Sequence, residues 1–402
     1  MGGPLEGCRV IELAHIMAGP IAGLMLADMG AEVIKVEKFE GDDTRRMVPP
    51  VVGDQSAAFM MMNRNKRGVA IDLKSSQGKE ILLEMICQSD VLIENYRRGT
   101  MEKLGLGYET LSKINPGLVY LEISGFGRTG PYQDRGGFDL IAQGMSGLMS
   151  VTGEGEGRPP VKIGAPVTDI TAGILGAMGV SAAYACKLKT GVGQKVDTSL
   201  FEAGITHTYW QSAIAFATGE APGAMGSAHP LNAPYQAFPT SDGWINVGAA
   251  NQKNWEHLTD IINRPELKDD PRFIRNMDRM KNLHQLEEEL NAVFVTASTD
   301  HWLGRLEQGG VPAGPILDVN QMHNNPQTLA RHMVVEQEHI TAGKTKTLGL
   351  PVKFSKTPGS IDRAAPVLGQ HTREVLSEFG YSNNKITELF ERGIVEGISV
   401  DA

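Results

Sequence analysis

The sequence predicts an α/β protein whose main part is a doubly wound parallel sheet with helices on both faces. Short apolar runs rich in Val, Ile and Leu alternate with segments of helical periodicity from residue 8 to residue 124. The turns between them are short, so the order strand, helix, strand repeats without a hairpin. This order gives parallel strands joined by crossover helices. The 402 residues also suffice for a second domain.

Each element of the sheet has its own local pattern. The predicted strands are CRVIEL, EVIKVE, GVAIDL, DVLIENY and LVYLEIS, and the helices between them are PIAGLMLADMGA, SSQGKEILLEMICQS and MEKLGLGYETLSKI. A longer helix of small and apolar residues is predicted over residues 167–190, with Gly191 as its stop. In such sheets ligands bind beyond the carboxyl ends of the strands. The candidate site is therefore formed by the segments that follow strands, namely residues 15–19, 38–46, 74, 95–98 and 125–130.

The pattern changes after residue 218. The Gly- and Pro-rich stretch GEAPGAMG, residues 219–226, indicates a boundary. Beyond it, YQAFPTSDGWINVGA predicts a hairpin that turns at Asp242 and Gly243, and residues 252–306 have a charged, mostly helical pattern. The sequence therefore predicts a second, smaller α+β domain.

Composition excludes several classes of protein. A net charge of -9 argues against a nucleic-acid partner, and the three widely spaced cysteines Cys8, Cys87 and Cys186 indicate neither a disulfide framework nor a metal site. The N-terminus lacks the basic and apolar regions of a secretory signal. The uncharged run over residues 170–186 falls short of the roughly 20 strongly apolar residues of a membrane span. We expect a cytoplasmic protein with no membrane partner.

The segment GAPVTDITAG carries a single acid, Asp169, at the start of the long helix. One interpretation is an N-cap, the usual role of Asp at this place. The other is a nucleophile that unpaired backbone N–H groups and the helix dipole keep ionised at neutral pH, the dipole contributing about 0.3–1 kcal/mol. In that case Thr168 takes the capping role, and small neighbours leave Asp169 open to a bulky acyl group.

Other motifs are less specific. HIMAGPIAG follows the first strand but lacks the G-x-G-x-x-G fingerprint of dinucleotide sites, although the next helix start suits an anion. Its His15 is either structural or part of a site. Basic residues form short clusters after strands, among them Lys35, Arg64 to Arg67 and Arg98; nearby acids nearly balance them. They are either a solvated surface or a convergent site for one phosphate-bearing ligand.

Many ordered motifs resemble those of one family. AHIMAGPIAGLMLADMGAEVIKVE, GDDTR, NRNKRGVAIDLK, VLIENYRRGTMEKLGLGYE, SGFGRTGPY, GAPVTDITAG, KTGVGQKVD, GVPAGPI and LGQHTREVL follow the order seen in the class III CoA-transferases. That family includes formyl-CoA transferase, carnitine CoA-transferase and α-methylacyl-CoA racemase. The resemblance runs nearly from end to end of the chain and implies a CoA-transferase.

The resemblance gives Asp169 a chemical role. In the family a single aspartate attacks the acyl-CoA donor, passes through a mixed anhydride, and becomes an aspartyl-CoA thioester from which CoA moves to the acceptor acid. Asp169 stands at the matching position. One thioester replaces another of similar energy, so no ATP site is needed, and the chain has no P-loop. CoA is then a substrate, and we expect no permanently bound cofactor and no metal.

The resemblance also implies a CoA-binding set. Met17 and Ala18, with His15, border the thiol arm, and Lys38 meets the nucleotide phosphates. The adenine is flanked by Ile71, Asp72, Leu73 and Lys74, and the pantetheine and diphosphate are lined by Asn95, Tyr96, Arg97 and Lys103. Met17 and Lys38 replace Gln and Arg of formyl-CoA transferase. A lysine keeps the charge of arginine but loses its planar, bidentate geometry.

Substrate preference rests on weaker signals. Racemases of the family place a His before the Asp of the segment written here as GGFDLIAQ, whereas this chain has Phe138 before Asp139, which favours transfer over epimerisation. GSAHPLNAPYQAF replaces the glycine-rich loop of formyl-CoA transferase and argues against oxalate. The segment resembles the succinyl-CoA:glutarate branch, which implies succinyl-CoA and a dicarboxylic acceptor. The substrate-binding residues implied are Phe138, Asp139, and Arg45, Arg46 or His229 as the cation for a second carboxylate.

The alternatives are a 2-methylacyl-CoA racemase and a non-catalytic acyl-CoA-binding protein. Members of the family form an interlocked homodimer in which each ring-like subunit is threaded by the other. That arrangement implies a large domain built from both chain ends: residues 1–200, a linker over 201–225, a small domain over 226–321, and a return to the large domain over 322–402.

Overall fold

The structure, a computed structural model, describes residues 2–155 and 157–398. It divides into two compact units. The first comprises Met1–Gly147, Ile163–His207 and Pro326–Ala402, and the second comprises Leu148–Lys162 and Thr208–Asn325. The first unit thus contains both chain ends.

The strands of the described residues are β1 (Arg9–Glu12), β2 (Glu32–Glu37), β3 (Val51–Val52), β4 (Gln55–Ser56), β5 (Lys66–Ile71), β6 (Val91–Glu94), β7 (Val119–Ser124), β8 (Lys195–Ser199), β9 (Tyr235–Pro239), β10 (Trp244–Gly248), β11 (Ala313–Pro315), β12 (Val334–His339), β13 (Gly343–Leu348) and β14 (Val395–Glu396).

The α-helices are α1 (Ala18–Asp28), α2 (Ala57–Met62), α3 (Ser76–Cys87), α4 (Thr100–Leu104), α5 (Tyr108–Ile114), α6 (Asp139–Met145), α7 (Val167–Thr190), α8 (Leu200–Thr206), α9 (Tyr209–Thr218), α10 (Gln252–Ile261), α11 (Asn276–Lys281), α12 (Leu283–Phe294), α13 (Thr299–Gln308), α14 (Val319–Asn324), α15 (Pro326–Ala330), α16 (Thr372–Glu378) and α17 (Asn383–Glu391).

A seven-stranded sheet with the order β14-β5-β2-β1-β6-β7-β8 forms the centre of the first unit. The six neighbouring strands of this sheet run parallel, namely β5, β2, β1, β6, β7 and β8. Strand β14 pairs antiparallel with β5. Strands β5 and β6 are buried along their whole length, and β1, β2 and β7 are buried at all but one residue, as expected for parallel strands covered on both faces. The prediction of a parallel α/β sheet is confirmed, and β14 is an antiparallel edge strand that the sequence pattern does not predict.

Side chains on the two faces of this sheet belong to two separate hydrophobic cores. Ile11 lies on one face with helices α3, α16 and α17, whereas its neighbour Val10 lies on the other with α1, α6, α7 and α8. Successive residues of a strand point to opposite faces, so the central strands β1, β2, β6 and β7 supply both cores. The sheet is therefore doubly wound, as the alternation of strands and helices predicts.

Helix α7 crosses α1 at close range. A Cβ atom on Gly173 would lie 2.7 Å from the carbonyl oxygen of Ala18 and 2.6 Å from Cγ2 of Ile21, so only glycine fits at this crossing. The contact places the first turn of α7, with Asp169, beside the first turn of α1. Among the described helices, α7 is also the one long and apolar enough to cross a membrane by length and composition. One side of it packs on α1, β7 and β8, while Ile174, Met178 and Leu188 are exposed.

The second unit has an antiparallel three-stranded sheet with the order β11-β10-β9. The predicted hairpin is present, with Phe238 paired to Ile245 across β9 and β10. Helices α10, α12 and α13 cover it through a core that includes Trp255, Phe294 and Trp302. Most of residues 201–225, where the sequence predicts a linker, lie in helices α8 and α9 instead.

Candidate active site

A pocket of about 480 Å³ opens at the carboxyl end of the main sheet. Its walls come from the loops that follow β1, β6 and β7, and from the first turn of α7. Eight residues implied by the resemblance line it together: His15, Met17, Ala18, Asn95, Tyr96, Arg97, Phe138 and Asp169. The position agrees with the rule that ligands of such sheets bind beyond the strand ends.

Asp169 is the third residue of α7, and the N-cap is Pro166. Its carboxyl group is half-buried, faces the pocket, and receives no hydrogen bond from any residue that the structure describes. The interpretation of Asp169 as an N-cap is therefore wrong. An acid held at a helix start without bonding to the helix is available to a ligand.

The start of α7 is instead stabilised by Asp139, the first residue of α6. Oδ1 of Asp139 accepts hydrogen bonds from the backbone N–H of Thr168 at 2.9 Å and from its hydroxyl at 2.8 Å, while Oδ2 accepts from Nε2 of Gln143 at 2.7 Å. Oε1 of Gln143 in turn accepts from the backbone N–H of Ile163 at 2.9 Å. Thr168 therefore donates to a cap from another helix and is not the cap itself. Asp139, implied as a substrate-binding residue, is engaged in this support of α7.

Burial, and secondarily the charge of Asp139, raise the pKa of Asp169 to about 7. The sequence predicts that backbone N–H groups and the helix dipole keep Asp169 ionised at neutral pH, whereas this pKa leaves the carboxyl group only partly ionised there. A helix dipole typically contributes about 0.3–1 kcal/mol, which lowers the pKa of a carboxyl group by less than one unit. Loss of hydration, with no hydrogen-bond donor to offset it, outweighs that contribution.

The raised pKa predicts a pH-dependent reaction. Only the ionised carboxylate is a nucleophile, so we expect kcat/KM for the acyl-CoA donor to rise with pH and to reach half of its plateau near pH 7, the pKa of Asp169 being about 7. The Asp139→Asn variant keeps an oxygen that accepts from Thr168 but removes the neighbouring charge, so its midpoint should lie at lower pH. Initial rates across the neutral range, with a separate check of enzyme stability, measure both profiles. If kcat/KM of the wild type stayed constant from neutral pH to well below it, the assignment of Asp169 as the nucleophile would be contradicted.

The loop between β1 and α1 is held in an unusual conformation. Asn95 accepts from the backbone N–H of His15 at 2.9 Å and donates to its carbonyl at 2.8 Å. Ile16 has a φ of 65°, a left-handed conformation that is rare for a β-branched residue. Oδ1 of Asp42 accepts from the Ile16 N–H at 3.1 Å. Strained backbone of this kind clusters at functional sites.

This loop positions the first turn of α1 at the pocket. Met17 is the N-cap, and the first intrahelical bond runs from the N–H of Ile21 to the Met17 carbonyl. The N–H groups of Ala18 and Gly19 precede that bond and have no helical partner. They are suited to bind an oxyanion that forms at the Asp169 side of the pocket.

A network of fully buried charges lies behind the same loop. Nζ of Lys35 donates to Oε1 of Glu12 at 3.0 Å and to the Ala14 carbonyl at 2.7 Å, and it lies 2.9 Å from Oδ2 of Asp42. Nζ of Lys66 lies 2.8 Å from Oε2 of Glu12 and donates to the Pro20 carbonyl at 2.9 Å. The two lysines thus balance two carboxylates and hold backbone groups on both sides of residues 15–18.

Several predicted basic residues have other roles. Lys35 and Lys66 are fully buried, so they do not belong to a phosphate-binding surface. Arg45 donates two hydrogen bonds to the carboxylate of Glu37, at 2.7 and 2.8 Å, and its guanidinium group stacks on the Phe59 ring at 3.5 Å. Because of these contacts, Lys35, Lys66 and Arg45 are not free to bind a substrate carboxylate.

Arg46 and His229 are the other two cations implied for a second carboxylate. Arg46 pairs with Asp43 and donates to the Glu40 carbonyl at 2.6 Å, outside the pocket lining. His229 belongs to the second unit, where its ring lies 5.2 Å from that of Tyr235. Its role in binding substrate stays a prediction.

The remaining CoA-binding residues follow neighbouring strands of the same sheet edge. Lys38 directly follows β2, Lys74 follows β5, and Lys103 lies in α4 after β6; all three are exposed and lie outside the pocket lining. The side chain of Ile71 is fully buried and its backbone pairs with Val395; the place of Ile71 beside the adenine stays a prediction. Asp72 and Leu73 are half-buried beside Lys74. Strands β5, β2, β1 and β6 are adjacent, so this edge leads from the pocket toward Lys74.

The loop after β7 supplies residues that the resemblance does not assign. A Cβ on Gly125 would lie 2.7 Å from the Cα of Gly137, so the two backbones pack directly against each other. This contact brings Arg128 and the 75% exposed Phe138 to the same pocket. The sequence signal is the glycine-rich motif GFGRTGPY at a strand end: residues 125–130 belong to the predicted candidate site, but the pattern does not single out Arg128 among them.

The site combines a half-buried carboxylate, free helix N–H groups and arginines at the end of a parallel sheet. This arrangement defines an enzyme that acts on an anionic substrate by group transfer. Among the described residues, no group of three or more His, Cys, Asp or Glu is placed to hold a metal ion.

Comparison with known proteins gives the family. Residues 5–372 match the model of CoA-transferase family III, and the chain belongs to that family. It is 38% identical to succinyl-CoA:glutarate CoA-transferase of Mus musculus over 98% of this chain and 90% of the relative. It is also 38% identical to acetyl-CoA:oxalate CoA-transferase of Acetobacter aceti, over 94% of this chain and 96% of the relative. The crystal structure of a CaiB/BaiF family protein from Brucella suis superposes with a TM-score of 0.84 at 38% identity, covering 94% of this chain and all of that one. The predicted family and the prediction of a CoA-transferase are confirmed.

Proposed function

We propose that the protein moves CoA from an acyl-CoA donor to a carboxylic acid with Asp169 as the covalent carrier. The observation that carries this proposal is the position of Asp169, an acid at a helix start that faces the pocket and receives no hydrogen bond from the described residues. A structural acid at a helix start normally bonds to the helix. This one is left free, and Asp139 does the capping.

The proposed chemistry proceeds through four acyl exchanges. A carboxylate oxygen of Asp169 attacks the donor thioester carbonyl, the C–S bond breaks, and CoA leaves as a thiolate, which gives a mixed anhydride. The thiolate attacks the Asp169 carbonyl carbon and releases the donor acid. The acceptor carboxylate then attacks the aspartyl thioester and frees CoA, which finally attacks the acceptor carbonyl and restores Asp169. Covalent catalysis and positioning supply the rate, and no ATP is consumed.

The surroundings of Asp169 support these steps. Each exchange passes through a tetrahedral oxyanion, for which the free N–H groups of Ala18 and Gly19 are suitable donors. We assign the CoA phosphates to Lys38, Lys74 and Lys103 along the adjacent strand ends, where their exposed ammonium groups are available to anions. The pocket then receives the thioester end of the ligand.

The substrates proposed are succinyl-CoA as donor and a dicarboxylic acid as acceptor. The two relatives are named for transfer to glutarate and to oxalate, both dicarboxylic acids. Oxalate therefore belongs in the acceptor panel, although the sequence argues against it. Epimerisation is less well supported because Phe138, which lines the pocket, occupies the place of the second acid-base residue of the racemases.

We also propose an interlocked homodimer, located in the cytoplasm. Helix α9 has no buried residue among those described, and it carries the 74% exposed Tyr209, the 57% exposed Trp210 and the 91% exposed Phe216. An apolar helix surface of this kind suits an interface between subunits.

Covalent trapping tests the proposal. The protein is mixed with succinyl-CoA and quenched with hydroxylamine, and the peptide that contains residues 164–173 is analysed by mass spectrometry. We expect a hydroxamate on Asp169, because hydroxylamine attacks the anhydride or aspartyl thioester carbonyl and expels the carboxylate or thiolate. Free succinate without CoA is the control and should give no adduct. Steady transfer without any adduct on Asp169, or with an adduct on another residue, would refute the covalent role; tight acyl-CoA binding without adduct or transfer would support the non-catalytic alternative.

A further inference from the structure

Arg128 lies in the motif GFGRTGPY after β7 and lines the pocket together with Asp169. Its side chain is only 11% exposed, whereas the other arginines of the pocket, Arg97, Arg98 and Arg135, are exposed. A guanidinium group that is largely removed from water is maintained only where it has partners on the protein or a ligand.

One edge of this guanidinium is fixed by the protein. Nε donates to Glu122, and Nη2 donates to the Tyr96 carbonyl at 2.7 Å and lies 3.9 Å from Oε1 of Glu94. Nη1 has no acceptor among the residues that the structure describes. The protein therefore holds the guanidinium group in one orientation and leaves Nη1 without an acceptor from the described residues. An arginine fixed in this way is preorganised to bind an anion.

The carboxylates around Arg128 do not fully neutralise its positive charge. Glu122 also pairs with Lys195, so one carboxylate serves two cations. Burial, and secondarily the charge of Glu122, raise the pKa of Glu94, so this group carries less negative charge than a solvated glutamate does. Asp197 accepts from the backbone N–H of Arg128 at 3.3 Å and not from its guanidinium.

The other arginines of the pocket are less suitable. Arg98 pairs with Asp134 at 2.8 Å on the exposed rim. The guanidinium of Arg135 lies over the rings of Tyr132 and Phe126, at 4.7 and 5.5 Å, and its side chain is exposed to solvent. An exposed cation gains little from an added carboxylate because water already solvates it.

We propose that Nη1 of Arg128 binds the second carboxylate of a dicarboxylic acceptor and thereby determines acceptor specificity. This inference rests on the proposed CoA transfer at Asp169. A dicarboxylate places one carboxylate at Asp169 and the other on a fixed, largely desolvated cation. A monocarboxylate of equal length leaves that cation without its partner, and sites built for a polar group discriminate strongly against ligands that lack it.

The test compares glutarate with pentanoate, two five-carbon acids that differ by one carboxylate, with succinyl-CoA as donor. In a double-displacement reaction, kcat/KM for the acceptor does not contain the donor half-reaction. The Arg128→Gln variant should lose about 10- to 100-fold in kcat/KM for glutarate, the effect of one charge-assisted hydrogen bond, and little for pentanoate. Arg128→Lys should fall between, since it keeps the charge without the planar geometry.

The ratio of the two acceptors, measured on one preparation, does not depend on the fraction of folded enzyme. Arg98→Gln is the matched control, because Arg98 is already paired on the rim, and its acceptor ratio should equal that of the wild type. If Arg128→Gln lowers kcat/KM for both acids equally, or if the wild type does not prefer glutarate, the specificity role of Arg128 is overturned while CoA transfer stands. If the wild type moves no CoA to any acid, the proposed function fails and this inference with it.

Discussion

Replacing Asp169 by Ala or Asn is expected to lower kcat for CoA transfer by about 10⁴- to 10⁶-fold, the range seen when a covalent nucleophile is removed. Neither side chain can form the anhydride or the aspartyl thioester, so all four acyl exchanges lose their carrier. Binding of acyl-CoA should persist, since the lysines along the strand ends are unchanged. The measurements are steady-state transfer between succinyl-CoA and glutarate, and acyl-CoA binding by calorimetry.

Thermal unfolding provides the control for Asp169. Its pKa is about 7 in the folded protein, above the ordinary value of 3.8, so the folded state binds the proton more tightly than the unfolded state does. This carboxyl group therefore lowers stability progressively as the pH rises from about 4 to about 7. Asp169→Asn should raise Tm at pH well above 7 and leave it unchanged in acid. Substantial transfer by a stable, folded variant would contradict the covalent role.

Replacing Glu12 by Gln is expected to reduce the free energy of unfolding by about 3–5 kcal/mol, the cost of breaking a buried ion pair from one side. Glu12 is 0% exposed and contacts both Lys35 and Lys66, so the neutral amide leaves two buried ammonium groups without their shared charge. Urea unfolding followed by circular dichroism measures the change. Because these lysines hold the Ala14 and Pro20 carbonyls, transfer activity should fall as well.

Glu388→Gln is the matched control for Glu12→Gln. Glu388 also contacts two cations, Lys385 and Arg392, at 2.9 Å each, but its side chain is 44% exposed. Water and ions screen such pairs, so the urea midpoint should hardly move. Equal effects of the two substitutions would show that burial does not determine the strength of the Glu12 network.

The sequence predicts the parallel sheet well because local periodicity determines which residues a strand or helix can bury. β2 has the predicted bounds, Glu32–Glu37, and α7 ends before Gly191 as its stop signal indicates. The position of Asp169 in a first turn is likewise a local property. β14 could not be found in this way, because two residues at the end of the chain pair with a strand more than 300 positions earlier.

The charges of the site are less predictable than its backbone. Lys35 and Arg45 are indistinguishable in sequence from surface cations, since their partners Glu12, Asp42 and Glu37 are brought to them by the fold. The raised pKa of Asp169 depends on burial and on Asp139, which lies 30 positions earlier in the chain. Pattern analysis locates strand ends but does not show which side chains lose water there.

The late closure of the main sheet has a consequence for biosynthesis. The edge of β5 and the apolar face above it are completed by β14, α16 and α17, which leave the ribosome about 300 residues after β5. At translation rates of about 5–20 residues per second, the interval between β5 and β14 is about 15–65 s. During that interval the nascent chain presents an unpaired strand edge and uncovered apolar side chains, the features that recruit chaperones or lead to aggregation. A chain that is cut short before its last thirty residues should therefore be produced mainly in insoluble form.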